Sequence, residues 1–179
     1  LGAAELTDVV ALRRKILVAP HETLAETIED LAVMNRETGH IDAAEPLARE
    51  AHAMYAALYG EDHAATMHAM GTLAAVLGTS RRWEESVAAY GALVERCERI
   101  PFQHDNPDCG TYYHFLASYL RQIDHFEAAL TANAQSIAWR RRLLGDAHVQ
   151  VGRALGSRGL ILHDMGRYHE ALPLLAEGE

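Results

Sequence analysis

The sequence predicts an all-α fold, a solenoid of antiparallel helix pairs, on three observations. A pattern of small and large apolar residues returns about every 42 positions along the 179-residue chain. Alanine is abundant and proline occurs only five times, which favours helix. No useful stretch alternates with the period of two that a half-buried strand requires.

The repeat can be read column by column. Leu31-Ala32, followed by Gly39, Ile41 and Ala44, is matched at an offset of 42 by Leu73-Ala74, Trp83 and Ser86. Leu116-Ala117, Phe126 and Ala129 follow at an offset of 43, and Gly159, Gly166, Tyr168 and Ala171 at 42 again. Ala32, Ala74, Ala117 and Gly159 are small enough to let two helices approach closely. Ile41, Trp83, Phe126 and Tyr168 are large and are expected to plug the gap the small residues leave. Ala44, Ser86, Ala129 and Ala171 are small again, one turn into the second helix.

Taken in order, residues 2–17 read as the second helix of an earlier repeat. First helices are expected over 22–38, 64–79, 107–122 and 148–165, and second helices over 42–58, 84–98, 126–143 and 168–178. The units then run 1–20 (a truncated predecessor), 21–62, 63–105, 106–147 and 148–179, the last truncated in its second helix. His21, His63 and His148 share a column that Asn106 completes, each just before a first helix. Asn is among the best N-caps and a histidine ring nitrogen can accept the same hydrogen bond, so a capping role is expected. Gly39 and Gly166 fall where a first helix should end in a left-handed cap. Arg81 and Asp124 stand in that column elsewhere, and those turns are expected to close differently. Pro46 and Pro173 share a column near the start of their helices, where proline costs least. Arg158 and Asn35 replace leucine in their columns, which predicts looser first and last repeats.

The pattern resembles the tetratricopeptide repeat, in the long form found in kinesin light chains and many bacterial proteins. The resemblance rests on Leu31-Ala32 with Gly39-His40-Ile41-Asp42-Ala43-Ala44-Glu45-Pro46-Leu47, and on Gly166-Arg167-Tyr168-His169-Glu170-Ala171-Leu172. It implies a right-handed superhelical solenoid whose first helices line a concave groove that takes an extended or helical segment. The usual period of the family is nearer 34 residues, so both helices are lengthened here. The chain starts and stops inside a unit, at Leu1 and Glu179, with no polar capping repeat, and continuation on both sides is expected.

Composition narrows the function classes. The net charge is −9, from 16 basic and 25 acidic side chains, which argues against nucleic-acid and anionic-membrane surfaces. No apolar run approaches the roughly 20 residues of a membrane span. Cys97 and Cys109 flank the longest connection, which holds Pro101, Phe102 and Pro107; they could come close across the turn, but two free thiols in a reducing, cytoplasmic setting are the favoured reading. Arg13-Arg14-Lys15 and Arg140-Arg141-Arg142 share a column and read as solvated helix ends that complement the dipole, with a contact to an acidic peptide as the second reading. Gly152, Gly156 and Gly159 lack a preceding strand and a following Gly-Lys-Ser/Thr, so no nucleotide site is expected. The histidines of the capping column are spread one per repeat rather than converging, and His63 and His68 are five apart, so no metal is expected. No catalytic residue or cofactor is expected either, and an enzyme using histidine and metal is the weakest reading.

What the resemblance leaves for function is the inner face. Its candidate residues are Glu26, Glu29, Asp30 and Arg36 towards the N-terminus, and His114, Arg121, Arg153 and His163 towards the C-terminus. Between them Gly71, Ala75 and Gly78 are expected to leave room for a bulky side chain. The face so read is acidic at one end and basic at the other. It predicts a protein-interaction module for a protein or peptide partner, part of a larger scaffold or regulatory protein, with self-association as the second reading.

Overall fold

The computed structural model describes residues 2–100 and 106–177, and among them the chain forms nine helices and no strand. They are α1 (Ala3–Ile16), α2 (Glu22–Glu37), α3 (Ile41–Tyr59), α4 (Ala64–Thr79), α5 (Trp83–Arg99), α6 (Asp108–Gln122), α7 (Phe126–Leu144), α8 (Val149–Asp164) and α9 (Tyr168–Glu177). Each expected helix end lies within one residue of the observed one, apart from Gly178, which is outside the described residues, as are Pro101 and Phe102. The chain divides into two compact units, 1–85 and 86–179.

The first helices α2, α4, α6 and α8 start alike because one column supplies their caps. Nδ1 of His21, His63 and His148 accepts from the backbone N–H of Thr23, Ala65 and Gln150, each at 3.2 Å. Asn106 does the same with Oδ1, at 2.9 Å from the N–H of Asp108. Each bond satisfies one of the donors that a helix start leaves unpaired.

The first helices also end alike, which corrects one expectation. Gly39 and Gly166 have φ of 83° and 75°, and Arg81 and Asp124 take the same left-handed conformation at 60° and 59°. In every repeat the next N–H reaches back to a carbonyl five residues earlier: His40 to Asn35, Arg82 to Leu77, His125 to Leu120 and Arg167 to Leu162, at 2.7–3.0 Å. These bonds hold Arg81 and Asp124 in a conformation that costs an L-residue about 1–2 kcal/mol. Asn35 contributes through its backbone, so its side chain does not alter the turn. Pro46 and Pro173 are a second correction: each is the sixth residue of its helix, beyond the first turn.

Packing within the N-terminal unit follows the small-and-large columns. Leu6 and Val10 of α1 meet Leu24, Ile28 and Leu31 of α2 and Ala51 of α3. Full burial of a side chain such as Leu24 or Ile28 contributes about 1.5–3 kcal/mol. Ala32, Ala44 and Ala48 pack with Val76, and Ile41 closes against them as expected. In the C-terminal unit Tyr168 does not play that part; it is 57% exposed. The space at Gly159 is taken by Leu175, whose Cγ and Cδ2 lie 2.8 Å from where a Cβ would be.

One further column fastens second helices to the first helix that follows. Its members are Arg13, Tyr55, Cys97 and Arg140, each near the end of its helix. Arg13 donates to the Thr23 carbonyl at 2.7 Å and to the Thr27 hydroxyl. Tyr55 packs with Ala25 and Ala69. Cys97 and Cys109 form a disulfide, correcting the reading of two free thiols. Arg140 is 7% exposed and donates to the Gln150 carbonyl at 3.0 Å, correcting the reading of a solvated helix end. Both arginines therefore satisfy a carbonyl in the first turn of the next helix. Arg141 pairs with Asp146 at 3.1 Å and Arg142 lies 4.4 Å over the Trp139 ring.

Candidate functional site

In the N-terminal unit the candidate residues lie on α2. Leu24, Ala25, Ile28 and Leu31 face inward, which turns Glu26 and Asp30 to solvent. Glu29 is buried instead: the Thr72 hydroxyl donates to its Oε1 at 2.7 Å, and Nε2 of His68 lies 3.7 Å away. Arg36 is half-buried beside Glu37 at 3.5 Å. The acidity of this face is felt by Tyr55, whose hydroxyl is pushed up to about 12, first by burial and then by Glu29, Glu26, Glu22 and Asp30. Gly71, Ala75 and Gly78 on α4 are buried rather than open, so they do not offer the expected space.

In the C-terminal unit the candidates lie on α6 and α8. Arg121 pairs with Asp164 at 2.5 Å and holds that carboxyl below its ordinary range. His163 is exposed, with Nδ1 3.2 Å from the same carboxylate and its ring edge-on to Tyr168 at 5.3 Å. Arg153 is exposed and has no ionic partner among the described residues. His114 is half-buried, edge-on to Phe115 at 5.5 Å, and Phe115 stacks with Tyr90. Burial, and then the guanidinium groups of Arg140 and Arg153, push the His114 imidazole down to about 4, so it is neutral near pH 7.

The structure thus separates the eight candidates by availability. Glu26, Asp30, Arg153 and His163 face solvent, Glu29, Arg36 and Arg121 are engaged within the chain, and His114 is half-buried. Sequence reasoning missed Asp164 and Arg140. Asp164 follows His163, which shares the Arg121 column, so adjacency in the repeat would have suggested the pair. Arg140 aligns with Arg13, and Gly110 leaves it room: a Cβ there would lie 3.1 Å from its Cγ. No group of three or more potential metal ligands is found among the described residues, and none of their helices is long and apolar enough to cross a membrane.

Comparison with known proteins places this geometry. A family model described as tetratricopeptide repeat matches residues 23–99 and 108–178. A kinesin light chain of Podosopora anserina with nearly identical TPR-like repeats is similar at 19% identity and a TM-score of 0.81, over 98% of this chain and 83% of that one. BtubC (BKLC) from P. vanneervenii is similar at 20% identity and a TM-score of 0.84, over 98% and 70%. The apo form of RapI matches at 13% identity and a TM-score of 0.77, over 98% and 48%. At such identities the likeness is one of fold. No curated protein matches the chain by sequence.

Proposed function

The chain belongs to the tetratricopeptide repeat family, and from that premise we propose that it is a non-enzymatic protein-interaction module of a larger scaffold or regulatory protein. The observation that carries the reading is a set of solvent-facing charges on first helices. Glu26 and Asp30 on α2 have no ionic partner among the described residues, and neither has Arg153 on α8. Charges left unpaired inside the chain are free to select a partner by complementarity. The α2 face favours a basic stretch of a peptide or protein segment, and the α8 face an acidic one. Glu29, Arg36, His114, Arg121 and His163 flank these contacts and shape them.

An array of short peptides of graded charge tests this. Arg153→Glu should weaken acidic peptides about tenfold, and Glu26→Lys with Asp30→Lys should do the same to basic ones. If no peptide distinguishes the variants from the parent, the reading fails.

Self-association is a second reading, favoured by the exposure of Tyr168 and Leu172 on α9, at 57% and 65%. A mass in solution that rises with concentration, and ceases to do so in Leu172→Glu, would establish it. A cytoplasmic location is also proposed, and the disulfide bears on it. A reducing cytosol opposes the Cys97–Cys109 disulfide, so the covalent joint itself speaks against that location.

A further inference from the structure

The columns that put Tyr55 and Tyr59 near the end of α3 put Arg140 and Leu144 near the end of α7. In the N-terminal unit Tyr59 bridges the end of α3 and the start of α2. Its ring stacks with Tyr55 at 6.3 Å and lies 4.4 Å from the His63 ring. Its hydroxyl reaches the Glu22 carboxylate, whose hydrogen bond raises it above its ordinary value. In the C-terminal unit Leu144 stands in the Tyr59 column and Pro107 in the Glu22 column. Neither the phenol nor the carboxylate it meets is repeated there.

What remains is a cavity of about 130 Å³ between the starts of α6 and α8 and the end of α7. Its apolar walls are Pro107, Trp139, Leu143 and Leu144, and Leu144 is 39% exposed at its mouth. Arg140, Asp108 and Thr111 line the same space. Arg140 donates from Nη1 to the Gln150 carbonyl at 3.0 Å. Its Nη2 has no hydrogen-bond partner among the described residues and, unlike Nε, is not sealed from solvent, so a donor is left for the cavity. Size and charge then choose the occupant. A cavity of about 150 Å³ holds one benzene ring, so this one takes a single six-membered ring. Its lining carries one cation and one carboxylate, so an ion of either sign gains one and opposes the other. A neutral hydroxyl suits both, because its oxygen accepts while its hydrogen is donated.

We propose that this cavity binds a phenol group, carried by a free small molecule or by the tyrosine side chain of a partner segment. The ring packs against Trp139 and Leu143, and the apolar rim at Pro107 and Leu144 closes over its edge. The hydroxyl oxygen accepts from Nη2 of Arg140, and its hydrogen goes to the Asp108 carboxylate or the Thr111 hydroxyl. The ligand thus supplies to the C-terminal unit the ring that Tyr59 supplies to the N-terminal one. The site lies at helix ends, away from the charged faces of α2 and α8, and does not depend on the interaction-module reading.

The test follows the Trp139 indole N–H by NMR, assigned with Trp83→Phe, while the whole chain is titrated with 4-methylphenol. That N–H donates to the Asn106 carbonyl at 3.0 Å beside the cavity, so it reports on occupancy. The expected result is a saturable shift with a Kd in about the millimolar range, as befits one ring. Toluene, which lacks the hydroxyl, and 4-methylbenzoate, which is charged, should each bind about tenfold more weakly. Leu144→Tyr sits at an exposed position whose counterpart is Tyr59, so the fold accepts it; its ring should fill the cavity from within and abolish the response. Leu144→Met should leave the response in place. A short uncharged peptide with one tyrosine, beside its phenylalanine counterpart, forms the second arm. Tighter binding of the tyrosine peptide than of 4-methylphenol assigns the site to a partner segment, and the reverse order assigns it to a free phenol. Absence of a saturable shift with either probe overturns the site, as does equal binding of toluene or 4-methylbenzoate, or unchanged affinity in Leu144→Tyr. Each of these failures leaves the selection of charged peptides by Glu26, Asp30 and Arg153 untouched.

Discussion

Thr72 on α4 donates its hydroxyl hydrogen to the buried Glu29 carboxylate on α2, at 2.7 Å. The two residues are 43 apart in sequence and tie successive first helices of the N-terminal unit together. A hydrogen bond to a charged group that is also withdrawn from water is worth more than an ordinary one. Thr72→Val keeps the shape and removes the donor, so it should lower unfolding stability by about 2 kcal/mol in a urea titration. A variant as stable as the parent would mean that Glu29 is held by its other neighbours.

The left-handed turns make a paired prediction. Asp124 has a φ of 59° that glycine adopts freely, so Asp124→Gly should raise stability by about 1 kcal/mol. Gly39 has a φ of 83° and open space where a Cβ would go, so Gly39→Ala should lower stability by about 1 kcal/mol through the backbone alone. Thermal denaturation of the two variants reads both signs; the same sign in both would exclude the conformational explanation.

The disulfide predicts a redox dependence of stability. Cys97 and Cys109 are 12 residues apart, and opening a loop of that size costs about 3 kcal/mol in the chain-entropy account. Denatured protein should take up two alkyl groups only after reduction, as read by mass spectrometry. Cys97→Ala with Cys109→Ala should unfold at correspondingly lower denaturant whether or not a reductant is present. Alkylation without reductant would show the thiols to be free.

Acid should weaken the fold through His114. Its folded-state value is lowered from 6.5 to about 4, so the unfolded chain binds the proton more readily. The stability contributed by the neutral ring is complete above about pH 6.5 and is lost as the pH falls towards 4, up to about 3 kcal/mol in all. His114→Gln should remove this slope between those limits. A parent and variant with parallel pH profiles would show that the ring is not desolvated as the structure has it.

Much of the fold was legible because each repeat marks its own boundaries. A capping side chain at His21, His63, Asn106 and His148 and a turn residue at Gly39, Arg81, Asp124 and Gly166 bracket every first helix. The conformation of Arg81 and Asp124 was misjudged because residue type was weighed alone. The hydrogen bonds that close the turn belong to neighbours and outweigh the preference. The chemistry at helix ends was harder to see. Cys97 and Arg140 are unremarkable until they are aligned with Arg13 and Tyr55, which shows that the column points at the next helix. The face read as open at Gly71 and Gly78 is buried because side-chain size says nothing about what lies opposite. Charge was the least legible property: a cation in a column is a candidate contact only until its neighbours are known, and Asp164 removes Arg121 from that set.

The column of Arg13, Tyr55, Cys97 and Arg140 gives the chain four couplings of different material at one mechanical position. One is an arginine bonded to a carbonyl and a hydroxyl, one is an aromatic wedge, one is covalent, and one is an arginine bonded to a carbonyl. Of the four, the covalent one alone is opened by a reductant. A reductant therefore loosens the Cys97 joint and leaves the other three in place, so one redox change alters the fastening of a single helix junction.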